Sequence, residues 1–229
     1  MLLLAIDTAG PNCAVALAKS AASGAEVLYA IEERIGRGHA ERLIPMLDAA
    51  LESAGLSYPD LDRIAVTTGP GSFTGVRIGV AAARGLALAL GVPAVGISSL
   101  TALAFGVSHA RNEGTVVAVL DGKRGELYAQ AQDLATGSLV FDATAASAEH
   151  IAQKLAQAAR PLVLTGAGAP LLAPYLSNDD VEHAGAAEAP DIADVSILGL
   201  RAEPGRPPVP LYARGAGAKS QSAKAVARA

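Results

Sequence analysis

Two stretches of the sequence match each other in form: Leu3-Leu4-Ala5-Ile6-Asp7 and Val117-Ala118-Val119-Leu120-Asp121. Each is a short apolar run that ends in an aspartate, and each is followed by a turn and a second predicted strand. Their first residues lie 114 positions apart. A supersecondary unit that recurs in one chain indicates an internal duplication. We therefore predict two related halves.

The segments around the first stretch alternate between strand and helix patterns. Short apolar runs bounded by turn residues predict strands, and longer runs with capping residues predict helices. The predicted strands are 2–7, 13–18, 27–32, 63–68 and 94–97, and the predicted helices are 39–54, 74–90 and 98–107. This order, β-β-β-α-β-α-β-α, predicts the α/β class.

The sequence beyond residue 108 begins the same order again. Its predicted strands are 116–121, 126–132, 139–142 and 162–165, and its predicted helices are 146–159 and 191–202. We expect a first half-domain at 1–108, a smaller second half-domain at 109–188, a helix at 189–203 that returns to the first half, and a basic segment at 204–229.

The composition looks apolar enough to raise the question of a membrane. Hydrophobic residues make up 51% of the chain and the mean hydropathy is +0.35. However, 51 of the 229 residues are alanine, and the larger apolar residues are sufficient only for an ordinary globular core. The apolar run 85–97 lies within the uncharged stretch 85–110. This run has 13 residues and contains Gly91 and Pro93, whereas a bilayer span needs ~20 apolar residues. We therefore predict that the chain does not span a membrane.

The cysteine count and the N-terminus favour the cytoplasm. Cys13 is the only cysteine, so the chain is not a disulfide scaffold. The apolar run at 1–6 is too short for a signal peptide and has no basic region before it. A buried, reduced thiol is the expectation for Cys13.

Charge is unevenly distributed along the chain. Residues 204–229 carry five basic residues and no acid, whereas residues 1–203 carry 13 basic and 22 acidic residues. An acidic body repels phosphate backbones and is a poor nucleic-acid platform. Residues 215–229 have no apolar period, which is typical of disorder. A solubilising extension and an arm that contacts RNA remain open as roles for the basic segment.

The first two helices of the first half, 39–54 and 74–90, are predicted to form a partner interface. Helix 39–54 has an apolar stripe wider than one core contact needs, and helix 74–90 has a face of glycine and alanine that permits close approach. The alternative for helix 39–54 is a well-buried helix with no partner. On the partner interpretation, Leu43→Glu or Gly79→Leu should break pairing and leave the fold mostly intact. The predicted interface residues are His39, Ala40, Leu43, Ile44, Leu47, Gly75, Val76, Gly79, Val80 and Ala83.

Residues able to perform chemistry are sparse. The four histidines lie at least 33 positions apart, so no zinc-like spacing is present. Ser72 lies in a Gly-Ser-Phe-Thr-Gly segment, which has the wrong order for a nucleophile elbow. The loop at 69–75 links a strand to a helix N-terminus, and both anion binding and a glycine-rich turn for close packing remain open for it.

A degenerate nucleotide cleft is the remaining candidate site. Asp7 and Asp121 end matched strands and could flank a metal–phosphate cleft between the halves. The acid-then-glycine pattern is present at Asp121 but is degraded at Asp7, which Thr8 follows. The Gly166-Ala167-Gly168 loop could approach an adenosine, although an isolated G-x-G is a weak signal.

Five segments of the sequence form a recognisable set. They are Ile6-Asp7-Thr8 with Cys13-Ala14-Val15-Ala16-Leu17; His39-Ala40-Glu41-Arg42-Leu43-Ile44-Pro45; Gly69-Pro70-Gly71-Ser72-Phe73-Thr74-Gly75-Val76-Arg77; Asp121-Gly122-Lys123-Arg124-Gly125-Glu126-Leu127-Tyr128; and Pro210-Leu211-Tyr212-Ala213-Arg214. Together they resemble one family, the bacterial TsaB (YeaZ) family. The third is the most specific of them. The fourth departs from the family pattern in having Gly122 for alanine and Leu127 for valine.

The resemblance implies an actin-like/Hsp70-like ATPase (ASKHA) fold with two related β-β-β-α-β-α halves. It also implies a role in attaching threonylcarbamoyl to the adenosine 3′ of the anticodon in tRNAs that read codons beginning with A. The implied partners are TsaD, a catalytic paralogue that forms a heterodimer, and TsaE, an ATPase. ATP or ADP and the metal are expected in those partners, and tRNA contact is expected through the complex.

The resemblance further implies that this chain is not itself catalytic. The catalytic paralogue has two histidine metal ligands after its second helix, and Ser99 and Leu103 stand at those positions here. Serine is a weak ligand and leucine is none. Two alternatives remain: an ATP- or metal-binding enzyme of the same fold (an ATPase or a glycoprotease-like metallopeptidase), and a stand-alone homodimeric interaction module.

Overall fold

The computed structural model describes residues 1–22 and 24–211. Residues 212–229, and with them the disorder expected for 215–229, lie outside the described residues. Its strands are β1 Leu2–Asp7, β2 Asn12–Ala21, β3 Gly24–Arg34, β4 Arg63–Gly69, β5 Ala94–Ser98, β6 Thr115–Asp121, β7 Leu127–Asp133, β8 Leu139–Ala146, β9 Leu162–Thr165 and β10 Val181–His183. Its helices are α1 His39–Ser53, α2 Phe73–Leu90, α3 Ser99–Ser108, α4 Ala148–Lys154, α5 Ala169–Leu172 and α6 Ile192–Arg201.

The strands form two five-stranded sheets with the same topology. The first sheet has the order β3-β2-β1-β4-β5, and the second has the order β8-β7-β6-β9-β10. In each sheet the central strand pairs antiparallel with the next strand of the chain and parallel with the fourth strand of the same half. These partners are β2 and β4 for β1, and β7 and β9 for β6. The two matched stretches of the sequence are the central strands β1 and β6, so the predicted α/β architecture of two related halves is confirmed.

Helices α1 and α2 cover the outer face of the first sheet. Leu43, Met46 and Leu47 of α1 lie in one core cluster with Ile6 and Val15 of the strands below. These apolar residues recur every three to four positions along the helix, which turns one stripe toward the sheet.

The glycines of α2 allow the helix to approach the end of β1 very closely. A Cβ atom at Gly75 would lie 2.0 Å from the carbonyl oxygen of Thr8. A Cβ atom at Gly79 would lie 2.5 Å from the Thr8 hydroxyl oxygen. The small face of this helix therefore packs inside the chain, against the residue that follows β1.

Helices α3 and α6 lie between the two sheets, and each packs on the sheet of the other half. Leu100, Leu103 and Val107 of α3 pack on Val116 and Val163 of the second sheet, although α3 follows β5 of the first. Conversely, α6 follows β10 of the second sheet and packs on the first.

The packing of α6 on the first sheet is close. Ile192 and Val195 join Leu3 and Ala65 in one core cluster. A Cβ atom at Gly199 would lie 2.5 Å from the Cβ of Ala65, so only glycine allows this approach. Each half thus contributes the helix that covers the inner face of the other half's sheet.

The second half departs from its prediction at four elements, β8, α4, α5 and β10. Residue 146 pairs with Leu127 as the end of β8, so α4 begins only at Ala148, after Ser147, whose side chain accepts from the backbone N–H of His150. Helix α4 ends at Lys154, before the predicted 159. Strand β10 and helix α5 were not predicted, because three and four residues are too few to show a period.

One helix passes a membrane-span test by length and composition. Helix α2 has 18 residues and a mean hydropathy of 1.4, although it contains the charged residues Arg77 and Arg84. Val76, Val80 and Ala83 of this helix are buried against the first sheet. A helix with these properties is equally typical of the core of an α/β domain.

Most side chains of the predicted partner interface lie inside the chain. Only Ala40 and Ile44 of the ten are exposed. Because Leu43 is 1% exposed and Gly79 touches Thr8, the expectation that Leu43→Glu or Gly79→Leu would leave the fold intact is wrong. The eight buried residues are His39, Leu43, Leu47, Gly75, Val76, Gly79, Val80 and Ala83.

Two adjacent residues of α1 test which face supports the fold. Leu43→Ala removes buried methyl groups, so we expect it to lower the free energy of unfolding by about 2–5 kcal/mol. Ile44 is 46% exposed, and Ile44→Ala should change that free energy by about 0.5 kcal/mol or less. Urea denaturation of both variants measures the difference, and equal effects would contradict the assignment of the buried face.

Candidate functional site

A cleft opens between the two halves, where the turn after β1 faces the turn after β6. Its volume is about 460 Å³. The loops before α2 and α5 form its other walls, so each half contributes the same two segments. Its lining includes Ala9, Gly10, Gly71, Ser72, Phe73, Asp121, Lys123, Ala167 and Glu188.

The aspartates at the ends of the two central strands make the same backbone contact. Asp7 Oδ1 accepts from the backbone N–H of Ala9 at 2.7 Å, and Asp121 Oδ1 accepts from the backbone N–H of Lys123 at 2.8 Å. Each aspartate therefore stabilises the turn two residues ahead of it. The duplication extends to this detail of side-chain chemistry.

Asp7 does not reach the surface of the cleft. It is 2% exposed, and its Oδ1 also accepts from the hydroxyl of Thr67. Burial raises the pKa of the Asp7 carboxyl, and the charge of Glu32 adds to that rise, whereas the Thr67 and Ala9 hydrogen bonds and His39 oppose it. The carboxyl acts as part of the buried frame of the first half.

Asp121 does line the cleft, and it is paired. Its Oδ2 lies 2.7 Å from Nζ of Lys123. The side-chain and backbone hydrogen bonds from Lys123 lower the pKa of the Asp121 carboxyl. The two aspartates that the sequence predicts as mirrored cleft residues therefore differ: one is a surface ion pair and the other is buried.

The loop at 69–75 is shaped by close packing. A Cβ atom at Gly71 would lie 2.3 Å from the carbonyl oxygen of Ala9. The Thr8 hydroxyl donates to the carbonyl of Gly75 at 2.7 Å, and the Ser72 hydroxyl accepts from the Gly75 N–H at 3.2 Å. These contacts favour the glycine-rich turn over the anion site among the two interpretations of this loop.

The glycines of the corresponding loop in the second half have the same role. A Cβ atom at Gly166 would lie 2.3 Å from the carbonyl oxygen of Val119, and Gly166 has a φ of +91°. A Cβ atom at Gly168 would lie 2.8 Å from the carbonyl carbon of Leu120. Both glycines are buried against β6, and Ala167 between them lines the cleft.

Glu188, a charged residue that lines the cleft, and its ion-pair partner were not predicted from the sequence. Glu188 forms an ion pair with Arg34 of β3, and this contact lowers the pKa of the Glu188 carboxyl. The two residues lie 154 positions apart, in segments without a motif, so the sequence carries no signal for the pair. The predicted lining also lacked Phe73, which begins α2.

The cleft contains few groups suited to a nucleotide triphosphate. Phosphates are recognised by cations and by backbone N–H groups at helix N-termini. Lys123 is paired with Asp121, and Glu188 is paired with Arg34. The loop before α2 packs on Ala9. The described residues therefore do not fit a tightly bound triphosphate.

The positions that the resemblance assigns to metal ligands lie in the core. Ser99 is the first residue of α3 and is buried, and its hydroxyl oxygen has no hydrogen-bond partner among the described residues. Leu103 packs on the second sheet. Within residues 1–22 and 24–211, no group of three His, Cys, Asp or Glu side chains is arranged to hold a metal ion.

Cys13 lies at the start of β2 and is fully buried. Burial, with the negative charges of Asp7 and Glu33, raises the pKa of its thiol to about 11. A thiol with this pKa is almost entirely protonated at neutral pH and is a poor nucleophile.

A protein-family model described as "TsaD: tRNA N6-adenosine threonylcarbamoyltransferase" matches residues 31–203. The chain is 40% identical over 128 residues to the tRNA threonylcarbamoyladenosine biosynthesis protein TsaB of Escherichia coli, covering 56% of this chain. It is 35% identical over 128 residues to the Bacillus subtilis protein of the same name. The chain spans about half of each curated relative, 53% in both cases.

Solved structures resemble the chain over nearly its whole length. A Pseudomonas aeruginosa protein described as having similarity to the peptidase YEAZ superposes with a TM-score of 0.78 at 30% identity, covering 93% of this chain and 99% of that one. YeaZ from Pseudomonas aeruginosa gives a TM-score of 0.76 at 28% identity, covering 92% and 99%. The predicted actin-like fold class is confirmed.

Replacing Asp7 should remove a pH dependence of stability with a defined sign. Because burial raises the pKa of the folded-state carboxyl above 3.8, its favourable contribution is complete below pH 3.8 and is lost as the pH rises through the raised pKa. The free energy of unfolding of the wild type minus that of Asp7→Asn should therefore fall as the pH rises from 3 to 7. Urea denaturation across this range measures the difference.

Asp121→Asn is the matched control, with the opposite sign. Lys123 lowers the folded-state pKa of Asp121, so its contribution is present above pH 3.8 and is lost as the pH falls through the lowered pKa. The wild-type minus Asp121→Asn difference should rise over the same range. Parallel curves for the two variants would contradict the assigned environments.

Proposed function

The chain belongs to the TsaB (YeaZ) family, within the group that the TsaD model describes, and from this membership we propose that it is a non-catalytic scaffold subunit for threonylcarbamoyl transfer to tRNA. The target is the adenosine 3′ of the anticodon in tRNAs that read codons beginning with A. The chain acts in a heterodimer with TsaD, which TsaE joins, and ATP and the metal bind in those partners.

The observation that carries the proposal is the identity of residues 99 and 103. At the positions assigned to the two histidine ligands of the catalytic paralogue, this chain has a buried serine and a leucine that packs in the core. A leucine side chain offers no lone pair to a metal. The paired charges of the cleft support the same conclusion, because Lys123 and Asp121 neutralise each other.

The outer surface of α1 and α2 supports a role in binding a partner. Phe73 and Leu88 are 60% and 85% exposed, at the two ends of α2. With Arg77, Ala81 and Arg84 they recur every three or four positions, so they share one face of the helix. The guanidinium of Arg77 lies 3.7 Å from the centre of the Phe73 ring.

This exposed stripe has the composition of a binding hot spot. Aromatic and arginine side chains supply much of the energy of protein interfaces. Ile44 of α1 is also exposed, and α1 contacts α2 on the same side of the sheet. We place TsaD, or a second copy of this chain when it is alone, on the surface formed by Ile44 and the stripe of α2. The arginines favour a partner helix with carboxylates.

The charge of the body supports indirect contact with tRNA. Residues 1–203 carry nine more acidic than basic residues, and a surface of this sign repels a phosphate backbone. The main tRNA-binding surface is therefore assigned to the partner. The single, buried Cys13 supports a reducing, cytoplasmic setting.

Charge placed on the proposed partner surface, which comprises Ile44 and the exposed stripe of α2, should prevent pairing with TsaD without unfolding the chain. We expect Ile44→Glu with Leu88→Glu to abolish co-elution with TsaD in size-exclusion chromatography, because both carboxylates would have to be buried at the interface. The matched control is Leu139→Glu with Leu171→Glu, at residues that are 51% and 50% exposed in the second half. The thermal midpoint should stay near that of the wild type in both variants. Co-elution of both double variants with TsaD would contradict the proposed partner surface.

Reconstitution of tRNA modification tests the role itself. The reaction contains TsaD, TsaE, ATP, the tRNA and a threonylcarbamoyl donor. Omitting this chain should abolish modification of the tRNA, and adding the wild type or the Asp121→Asn variant should restore it. Calorimetric titration of the isolated chain with Mg-ATP and with Zn²⁺ is the companion measurement. Activity that persists without the chain would contradict the scaffold, and tight stoichiometric binding of either ligand would favour an enzyme.

A further inference from the structure

A second cavity lies next to the cleft, on the other side of the loop that leads into α6. Its volume is about 290 Å³. Ala187 and Ala189 of this loop line the second cavity, whereas Glu188 between them lines the cleft. Among the described residues, the cavity and the cleft share no lining residue, so the two are separate candidate sites.

One wall of the cavity is apolar. Ala102, Leu103 and Val107 of α3 are buried and line it. Ligand sites in proteins have volumes of about 300–1,000 Å³, so this cavity is at the small end of the range. Its size and its apolar wall suit a molecule with a chain of a few carbon atoms.

A buried hydroxyl lines the cavity without a partner. Thr165 is the last residue of β9 and is 4% exposed. Within the described part of the chain, its Oγ1 forms no hydrogen bond. Because buried polar groups are almost always paired, this hydroxyl indicates that the cavity receives a polar group.

Two carboxylates of α6 line the same cavity. Asp191 is the N-cap of α6 and Asp194 follows three positions later, so the two share one face of the helix. Asp191 Oδ1 accepts from the N–H of Ala193 at 2.8 Å, and Asp194 Oδ1 lies 3.2 Å from Nε2 of His109. Among the described residues, Oδ2 of each aspartate forms no hydrogen bond and can accept one from a ligand.

The charged groups around the cavity leave it negative. Arg111 also lines it but is ion-paired with Glu182. With Asp191, Asp194 and His109, these groups sum to −2 when the histidine is neutral and to −1 when it is charged. Burial raises the pKa of the Asp194 carboxyl, His109 opposes this rise, and the charge of Asp191 adds to it. A cation in the cavity would relieve the repulsion between the two carboxylates.

We propose that this cavity binds a small organic amine, whose ammonium group contacts Asp191, Asp194 and Thr165 and whose carbon chain lies along α3. An ammonium donates three hydrogen bonds, which matches two carboxylates and a hydroxyl. A metal ion fits less well, because the described part of the chain has no three His, Cys, Asp or Glu side chains arranged to hold one. This ligand site goes beyond the proposed role in tRNA modification and does not depend on it.

A titration of the isotope-labelled full chain with butylamine, followed by amide NMR at neutral pH, tests the proposal. A phosphate buffer is used because it contains no competing amine. We expect saturable shifts centred on the amides of Gly106, Thr165 and Asp194. The probes for comparison are 1-butanol, which has the same carbon chain without the charge, and potassium chloride at the same concentration. Both should bind at least about tenfold more weakly, because a hydrogen bond to a charged group contributes more than a neutral one.

Three variants test the polar contacts. Asp191→Asn and Asp194→Asn remove one charge each at nearly constant size, and asparagine still caps a helix. We expect each to raise the dissociation constant for butylamine about tenfold or more. Thr165→Val removes only the hydroxyl and should raise it about two- to tenfold. The thermal midpoint without ligand checks that each variant is folded, and the two variants that remain are sufficient for the test if one is not.

The matched control is Glu52→Gln with Glu149→Gln, which removes two exposed carboxylates far from the cavity in sequence and should keep the wild-type affinity. Absence of saturable shifts would overturn the proposal, as would equal binding of 1-butanol or of potassium ions. Unchanged affinity in the folded cavity variants, or an equal loss in the control, would also overturn it. Because the titration uses this chain alone, failure of the reconstitution experiment would leave its result separately interpretable.

Discussion

The exchange of α3 and α6 is the packing interaction on which the rest of the structure depends. Each half leaves the inner face of its own sheet to a helix from the other half. Asp191 caps α6 by accepting from the N–H of Ala193, and Arg63 of the first sheet donates to the carbonyls of Gly199, Leu200 and Ala202 at its C-terminal end. Asp194 also contacts His109 at the end of α3 at 3.2 Å. Neither half can bury its inner apolar face alone, so the two sheets form one folding unit.

The crossed packing of α3 and α6 leaves two separate surfaces available for function, the cleft and the outer face of α1 and α2. With the inner faces filled, the cleft is formed only by turns and loops, which the glycine contacts at Gly71 and Gly168 hold against the central strands. The outer face of the first sheet carries α1 and α2, whose exposed side chains are the basis for the proposed partner surface. A scaffold needs such a fixed surface, whereas a nucleotide-driven machine needs halves that open and close. The paired charges at Asp121 and Glu188 accord with the scaffold.

The sequence predicts most of the fold because strand and helix periods are local. The matched stretches that end at Asp7 and Asp121 correctly indicate the duplication. Helical periodicity finds the apolar face of α1 but does not distinguish a core contact from a partner contact, and Leu43 is buried in the fold of the chain itself. The small face of α2 carries the same ambiguity, since a glycine row permits close packing on any neighbour, and in the structure it packs on Thr8. The burial of Asp7 and the ion pair of Glu188 with Arg34 depend on long-range packing, which no local sequence pattern predicts.

Native-state amide hydrogen exchange tests most directly whether the crossed helices make the halves one unit. Measured across a series of urea concentrations, β1 and β6 should exchange through the same global opening, with the same free energy and the same dependence on denaturant. The account predicts this because neither central strand keeps its inner cover when the other half unfolds. Exchange of β6 at a clearly lower free energy, while β1 remains protected, would contradict it.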